Sequence, residues 1–261
     1  MLESFTVGNG PLPMVLLHGF LGSGRNLGSL ARRWSELDPT LRFVVPDLTG
    51  HGNSPPVGEN ADLRTLALDV LETVRALGIT GPVSFTGHSL GGRVALAASL
   101  VESESVRDVT LLDIAPGPIA PANSDSAQIL GHLVDAPDEA SDRETMRQFL
   151  LSRGISRGIV EWLLTNLVHT DDGYVWRIDR HALARVHKGM NSMDLWPALE
   201  RPGAKVRCIR GGRSRYVSDA DKARMEAAGC PVATLPDAGH FVHVDAPKEL
   251  LDLLVGRSAF A

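Results

Sequence analysis

Ser89 is the residue of this chain best placed to act as a nucleophile. It stands in Gly87-His88-Ser89-Leu90-Gly91, directly after Val83-Ser84-Phe85-Thr86 and just before the helix-forming Arg93-Val94-Ala95-Leu96-Ala97-Ala98. A sharp strand-to-helix turn holds such a serine in a strained conformation and lifts its hydroxyl off the sheet edge. The positions two before and two after it must then be small, because a Cβ there would clash. A hydroxyl turns into a nucleophile only beside a base that a third group orients, and the oxyanion it creates needs N–H donors. Five residues alone would equally suit an ordinary Gly-Ser turn of a βα unit, so the rest of the chain has to supply these partners.

The base is expected at His240, in Pro236-Asp237-Ala238-Gly239-His240-Phe241, after the last expected strand and before the last expected helix. It would take the Ser89 proton and return it to the leaving group. The chain has 9 histidines; His243, three residues on, is read as a pocket-edge or structural residue. His240-x-x-His243 could suggest a metal pair, but no further ligand pattern accompanies it and no metal is expected. The acid of such a set commonly follows the next-to-last strand as Gly-x-x-Asp. That place reads Gly211-Gly212-Arg213-Ser214-Arg215-Tyr216, with serine for aspartate, and Asp219 and Asp221 beyond it suit a helix N-terminus. Asp113, at the end of the strand after the Ser89 helix, is therefore assigned to orient His240, the rival reading being a cap or ion-pair partner. Ser214 is expected to join the same hydrogen-bond network.

The oxyanion hole is expected from the backbone N–H groups of Leu90 and of Phe20, in the turn His18-Gly19-Phe20. A phosphate-binding loop is the rival there, but Gly22-x-Gly24 is not completed to Gly-x-Gly-x-x-Gly and no Gly-Lys-Ser/Thr follows. Asp47 and His51, in Asp-x-x-Gly-His-Gly-x-Ser, are expected to shape the site from below; Arg25 and Asn26 could touch substrate, but a solvated face suits them better.

The elements that must position these groups follow from apolar periodicity. Strands are expected at 5–7, 14–17, 43–45, 83–86, 109–112, 206–210 and 232–235, and helices at 27–37, 63–77, 220–228 and 248–255. Strands alternating with helices over short connections predict an α/β fold with a mostly parallel sheet covered on both faces. Ser89, Asp113 and His240 then all fall at carboxyl ends of strands, where open parallel sheets bind ligands. Between 118 and 196 the alternation stops. That segment is read as a helical cap inserted into a core of 1–117 and 197–261. Its Trp162, Trp176, Met190 and Met193 could roof an apolar acyl pocket, although core packing explains each about as well.

The chain has 261 residues, 43% of them hydrophobic and 22% charged, with a formal net charge of -5. That suits one large domain with a sizeable core and argues against a nucleic-acid partner, which would need concentrated Lys and Arg. No apolar run approaches the ~18 residues of a membrane span. The first residues carry no basic stretch followed by an apolar one, so no secretory leader is expected. Cys208 and Cys230 read as small buried hydrophobes in a reducing cytoplasm rather than a disulfide.

Together these residues resemble the α/β-hydrolase superfamily over essentially the whole chain, the order Ser…Asp…His being that of its triad. The nearer resemblance is to YbfF-type bacterial esterases and their mitochondrial abhydrolase relatives. It rests on Leu17-His18-Gly19-Phe20-Leu21-Gly22-Ser23, Gly87-His88-Ser89-Leu90-Gly91-Gly92, Asp113-Ile114-Ala115-Pro116 and Gly211-Gly212-x-Ser214-x-Tyr216-Val217. Leu163-Leu164-Thr165-Asn166-Leu167 and Tyr174-Val175-Trp176-Arg177 extend it into the inserted segment. The resemblance implies the acid at Asp113, a serine near the triad, no cofactor and a small-molecule ester as substrate. Leu48-Thr49, where relatives often carry Arg-Asn, is a departure. The expected activity is carboxylic-ester hydrolysis, extending to thioesters. C–C bond hydrolysis or a menaquinone-pathway reaction is the enzymatic alternative, because Gly19-Phe20-Leu21-Gly22-Ser23 occurs there too, and a triad-retaining ligand receptor is the non-enzymatic one.

Overall fold

A computed structural model describes residues 1–120, 125–200 and 203–256. The first half builds β1 (Ser4–Val7), β2 (Leu12–Leu17), α1 (Gly28–Leu37), β3 (Leu41–Pro46), α2 (Leu63–Ala76), β4 (Val83–His88), α3 (Leu90–Val101) and β5 (Val106–Leu112). Next come α4 (Asp125–Val134), β6 (Glu139–Ala140), α5 (Arg143–Ser152), α6 (Arg157–Leu163), β7 (Leu167–Thr170), β8 (Gly173–Trp176) and α7 (Arg180–Ser192). The chain closes with α8 (Pro197–Glu200), β9 (Lys205–Gly211), α9 (Asp219–Ala227), β10 (Val232–Leu235), α10 (Val242–Asp245) and α11 (Pro247–Val255). Among the described residues no helix is long and apolar enough to cross a membrane.

A seven-stranded sheet runs in the order β1-β3-β2-β4-β5-β9-β10 among the described residues. Only β1 is antiparallel to its neighbour; every other pairing is parallel. Alternate side chains of a strand leave opposite faces, and the core divides accordingly. Val15 and Leu17 of β2 and Leu111 of β5 join α2 and α3 on one face. Leu16, Leu112 and Ile209 join α1 and α11 on the other. Every residue of β4 is buried, as expected of a strand covered on both faces. Helix α3 is buried around most of its circumference, so the element behind Ser89 has little freedom to shift.

Local signals explain the boundaries. Asp62 caps α2 by accepting a hydrogen bond from Thr65 N at 2.9 Å, and Gly78 leaves that helix at φ 75°. The segment between β5 and β9 is less uniformly helical than its polar, helix-period residues predict. It also contains a three-stranded antiparallel sheet in the order β6-β8-β7, in which Thr170 pairs with Gly173 across Asp171-Asp172. A two-residue polar turn between β-branched and aromatic runs is a hairpin signal, and the helical periodicity on either side masks it. The segment leaves and rejoins the sheet along two chain crossings that bond to each other. Ile119 N donates to Asn191 O at 2.9 Å and Leu195 N to Pro116 O at 3.0 Å. The expected ranges 118–196 and 197–261 also include 121–124, 201–202 and 257–261, which lie outside the described residues.

Candidate active site

Ser89 occupies the single step between β4 and α3, at φ 51° and ψ -115°. A Cβ on Gly87 would come 2.3 Å from the Gly91 carbonyl carbon, and one on Gly91 would come 2.3 Å from Leu17 O. The turn can therefore close only with glycine at both positions. Among the described residues three non-glycine residues have positive φ: Leu21 (61°), Ser89 (51°) and Asp113 (53°). Such strain persists where surrounding structure over-determines it and gathers at functional sites.

Asp113 follows β5 and is fully buried. Its Oδ1 accepts from Gly211 N at 2.8 Å, and its Oδ2 accepts from Ser214 Oγ and from His240 Nδ1, the latter at 2.8 Å. A carboxylate only accepts, so the imidazole proton is assigned to Nδ1, leaving Nε2 as the basic nitrogen. Tyr216 stacks on the His240 ring with centroids 4.0 Å apart and planes at 22°. His88 donates from Nε2 to His240 O at 2.9 Å, so the residue before Ser89 holds the loop that carries His240. The competing carboxylates are engaged elsewhere. Asp219 pairs with Arg210 at 2.7 Å, and Asp221 forms a capping box with Ser218 at the start of α9.

The turn after β2 is held from within. His18 Nδ1 donates to Gly19 O at 2.8 Å, and its Nε2 accepts from Leu48 N at 2.9 Å. Asp47 accepts from Gly24 N at 2.7 Å and Asn53 N at 2.8 Å, stitching this turn to the one after β3. His51 is buried edge-on to the rings of His18 (5.4 Å) and Phe20 (5.5 Å). Burial disfavours the charged imidazole. It pulls His18, His187 and His243 down to about 4 and His51 to about 3, and holds His88 well below the usual histidine range. These rings are neutral at pH 7, and that of His88 lies against the His240 ring with centroids 4.6 Å apart.

A cavity of about 270 Å³ opens over Ser89 and His240, walled by Phe20, Ile129, Ile159, Trp162, Tyr216 and Phe241. His243 and Asn26 also line it, while Arg25 is exposed. A much smaller recess lies beside Ser89, bounded by Phe20, Leu90, His187 and Met190. Leu90 is the first residue of α3, where a helix N–H has no partner within the helix. Trp162, Met190 and His243 therefore border the two spaces next to Ser89, whereas Trp176 and Met193 do not. Trp176 belongs to the small sheet, where its Nε1 donates to Pro137 O at 2.9 Å and Arg180 lies over its ring at 5.4 Å. Met193 ends α7 and offers its carbonyl to Arg93. Ile129, Ile159 and Phe241 escaped sequence reasoning. Phe241 adjoins His240 in sequence, but nothing in the periodicity of α4 or α6 says which apolar side chain faces the cavity. Among the described residues no group of three or more His, Cys, Asp or Glu side chains is arranged to hold a metal ion.

The model of the alpha/beta hydrolase family matches residues 14–253, and the chain belongs to that family. It is 30% identical over 256 residues to the sn-1-specific diacylglycerol lipase ABHD11 of Xenopus laevis, covering 93% of this chain and 78% of that protein. It is 29% identical over 243 residues to esterase YbfF of Escherichia coli K12, covering 92% of this chain and 90% of that one. Among solved structures, a marine microorganism esterase superposes with a TM-score of 0.85 at 25% identity, covering 100% of this chain and 99% of the other. The protein is an α/β hydrolase of the esterase and lipase type.

Proposed function

We propose that the protein is a serine carboxylic-ester hydrolase that works through an acyl-enzyme. The observation that carries this reading is the Asp113–His240 hydrogen bond at 2.8 Å, which presents Nε2 in the same cavity as the strained Ser89. Ser89 Oγ attacks the acyl carbon while His240 Nε2 takes its proton. Asp113 stabilises the imidazolium, and the amides of Phe20 and Leu90 hold the oxyanion. The intermediate collapses with expulsion of the alcohol, which receives the proton from His240. Water then attacks the acyl-enzyme, with His240 again as base, and releases the acid and Ser89. No cofactor enters any step.

The segment 118–196 acts as a cap over a core of 1–117 and 197–261. A cavity of about 270 Å³ lies at the small end of ligand pockets, so small to medium apolar acyl esters are the favoured substrates. Thioesters present the same electrophilic carbon. Cys208 and Cys230 are free and buried, which suits a reducing cytoplasm.

The test is labelling by a fluorophosphonate together with hydrolysis of p-nitrophenyl esters of graded acyl length. Ser89→Ala should abolish labelling and lower kcat by about 10⁴-fold or more. Labelling or hydrolysis that survives the substitution overturns the assignment. Turnover of a vinylogous diketone without ester hydrolysis would move the chemistry to C–C cleavage.

A further inference from the structure

Arg93 lies one turn into α3 and is only 1% exposed, the bulkiest side chain so deeply buried among the described residues. Its Nη1 donates to Gly117 O at 2.7 Å, and its Nη2 donates to Met193 O at 2.5 Å and Met190 O at 3.3 Å. Gly117 stands on the crossing that leaves β5, and the two methionine carbonyls stand on the crossing that returns through the end of α7. The guanidinium thus holds both crossings at once. The last carbonyls of a helix lack partners within it, and a cation there also complements the helix dipole. Burial lowers the Arg93 pKa to about 10, with Asp194 opposing the fall, so the side chain is charged at neutral pH.

Core filling alone does not account for this residue. An apolar side chain of similar volume would occupy the space without desolvating a charge, and Arg93 Nε is buried with no partner. Three carbonyls from two chain segments match the planar fork of a guanidinium better than a point ammonium. The backbone of the same residue closes the first turn of α3, since Arg93 N donates to Ser89 O at 3.2 Å. Met190, whose carbonyl Arg93 holds, borders the recess shared by Ser89, Phe20 and Leu90.

We propose that Arg93 is a positioning residue, a latch that ties both crossings of the inserted segment to the helix behind Ser89 and so sets the Met190 wall of the serine recess. The proposal rests on Ser89 being the nucleophile and the recess belonging to the substrate site. Arg93→Met removes all three bonds at similar bulk; Arg93→Lys retains a charge that reaches fewer carbonyls.

The experiment compares both variants with the wild-type chain in amide hydrogen exchange and in steady-state hydrolysis of p-nitrophenyl acyl esters. In Arg93→Met, exchange at Ile119 and Leu195, whose amides bond across the crossings, should quicken by about tenfold while the amides of β4 keep their protection. KM should rise by about tenfold with kcat within about threefold, because the recess loosens while the reacting groups stay in place. Arg93→Lys should fall between Met and wild type on both readouts, and it decides the matter if Arg93→Met does not fold. Wild-type KM and wild-type exchange at Ile119 and Leu195 overturn the latch, as does an equal rise in exchange across the whole sheet, which marks a residue serving stability alone. Failure of the nucleophile assignment shows separately, as ester hydrolysis that survives Ser89→Ala.

Discussion

Replacing Asp113 by asparagine tests the site through hydrogen-bond arithmetic. Three donors converge on the carboxylate: Gly211 N on Oδ1, and Ser214 Oγ with His240 Nδ1 on Oδ2. An amide has one acceptor and one donor group, so it must choose. With its NH₂ toward Gly211, two donors face each other in a fully buried pocket, at a cost of about 1–3 kcal/mol. The opposite orientation keeps the Gly211 bond and turns the NH₂ toward Ser214 and His240, both of which can accept. His240 then shifts its proton to Nε2, the atom that under the proposed mechanism receives the proton of Ser89. The wrong tautomer at such a dyad lowers kcat by about 10³–10⁴-fold, or roughly 4–5.5 kcal/mol of transition-state stabilisation. The assay is kcat on a short acyl ester, with the melting temperature followed in parallel to show that the variant folds. Asp219→Asn and Asp221→Asn, in the first turn of α9, should leave kcat unchanged. A folded Asp113→Asn enzyme that keeps more than about a tenth of its kcat refutes the reasoning, as does a collapse of kcat in either control.

Two further predictions concern Tyr216 and the buried histidines. Tyr216→Phe keeps the 4.0 Å ring stack and should leave kcat within about twofold, whereas Tyr216→Ala removes a contact of about 0.5–1.5 kcal/mol and should lower kcat/KM by up to about tenfold. Equal losses in both would assign the effect to the hydroxyl, which accepts from Asp125 N. His18 and His51, held near 4 and 3 when folded, regain a value near 6.5 on unfolding. Between these limits the unfolded chain binds more protons, so stability is full above about pH 6.5 and is lost as the pH falls. Going from pH 7 to pH 5 should cost about 2 kcal/mol per fully buried histidine, read as a fall in the urea midpoint. His51→Phe should flatten that slope, and a midpoint independent of pH would exclude the effect.

The carboxyl-end positions of Ser89, Asp113 and His240 were legible in the sequence because they follow from local signals: apolar runs of strand length, a glycine-flanked serine and alternation with helices. The nearness of Asp113 to His240 was reached through the serine at 214, and the structure puts that serine on the same carboxylate oxygen as the histidine. The lining of the cavity was not legible. Whether Trp162 or Trp176 faces it depends on how α6 and the small sheet settle on the core, and apolar side chains look alike in either setting. The burial of Arg93 was hidden for a related reason. Its position reads as an ordinary helix former until the end of a distant helix and the chain leaving β5 arrive beside it. The small sheet itself had a signal in its Asp171-Asp172 turn, lost among stronger helical periods.

The strand order has a bearing on how the chain comes to be active as it is made. β5 finds its second neighbour only in β9, which begins at Lys205, 93 residues after β5 ends at Leu112 (205 − 112). Until then the growing chain carries a strand edge whose backbone N–H and C=O groups lack the partners that β9 supplies, the kind of edge that invites pairing with other chains. The segment between β5 and β9 must be synthesised before that edge can close. His240 is translated after both Ser89 and Asp113, and its loop is held by the residue beside Ser89. A partly made chain therefore carries the serine and the carboxylate without the imidazole, and under the proposed mechanism hydrolysis starts only once His240 has been made and the sheet has closed.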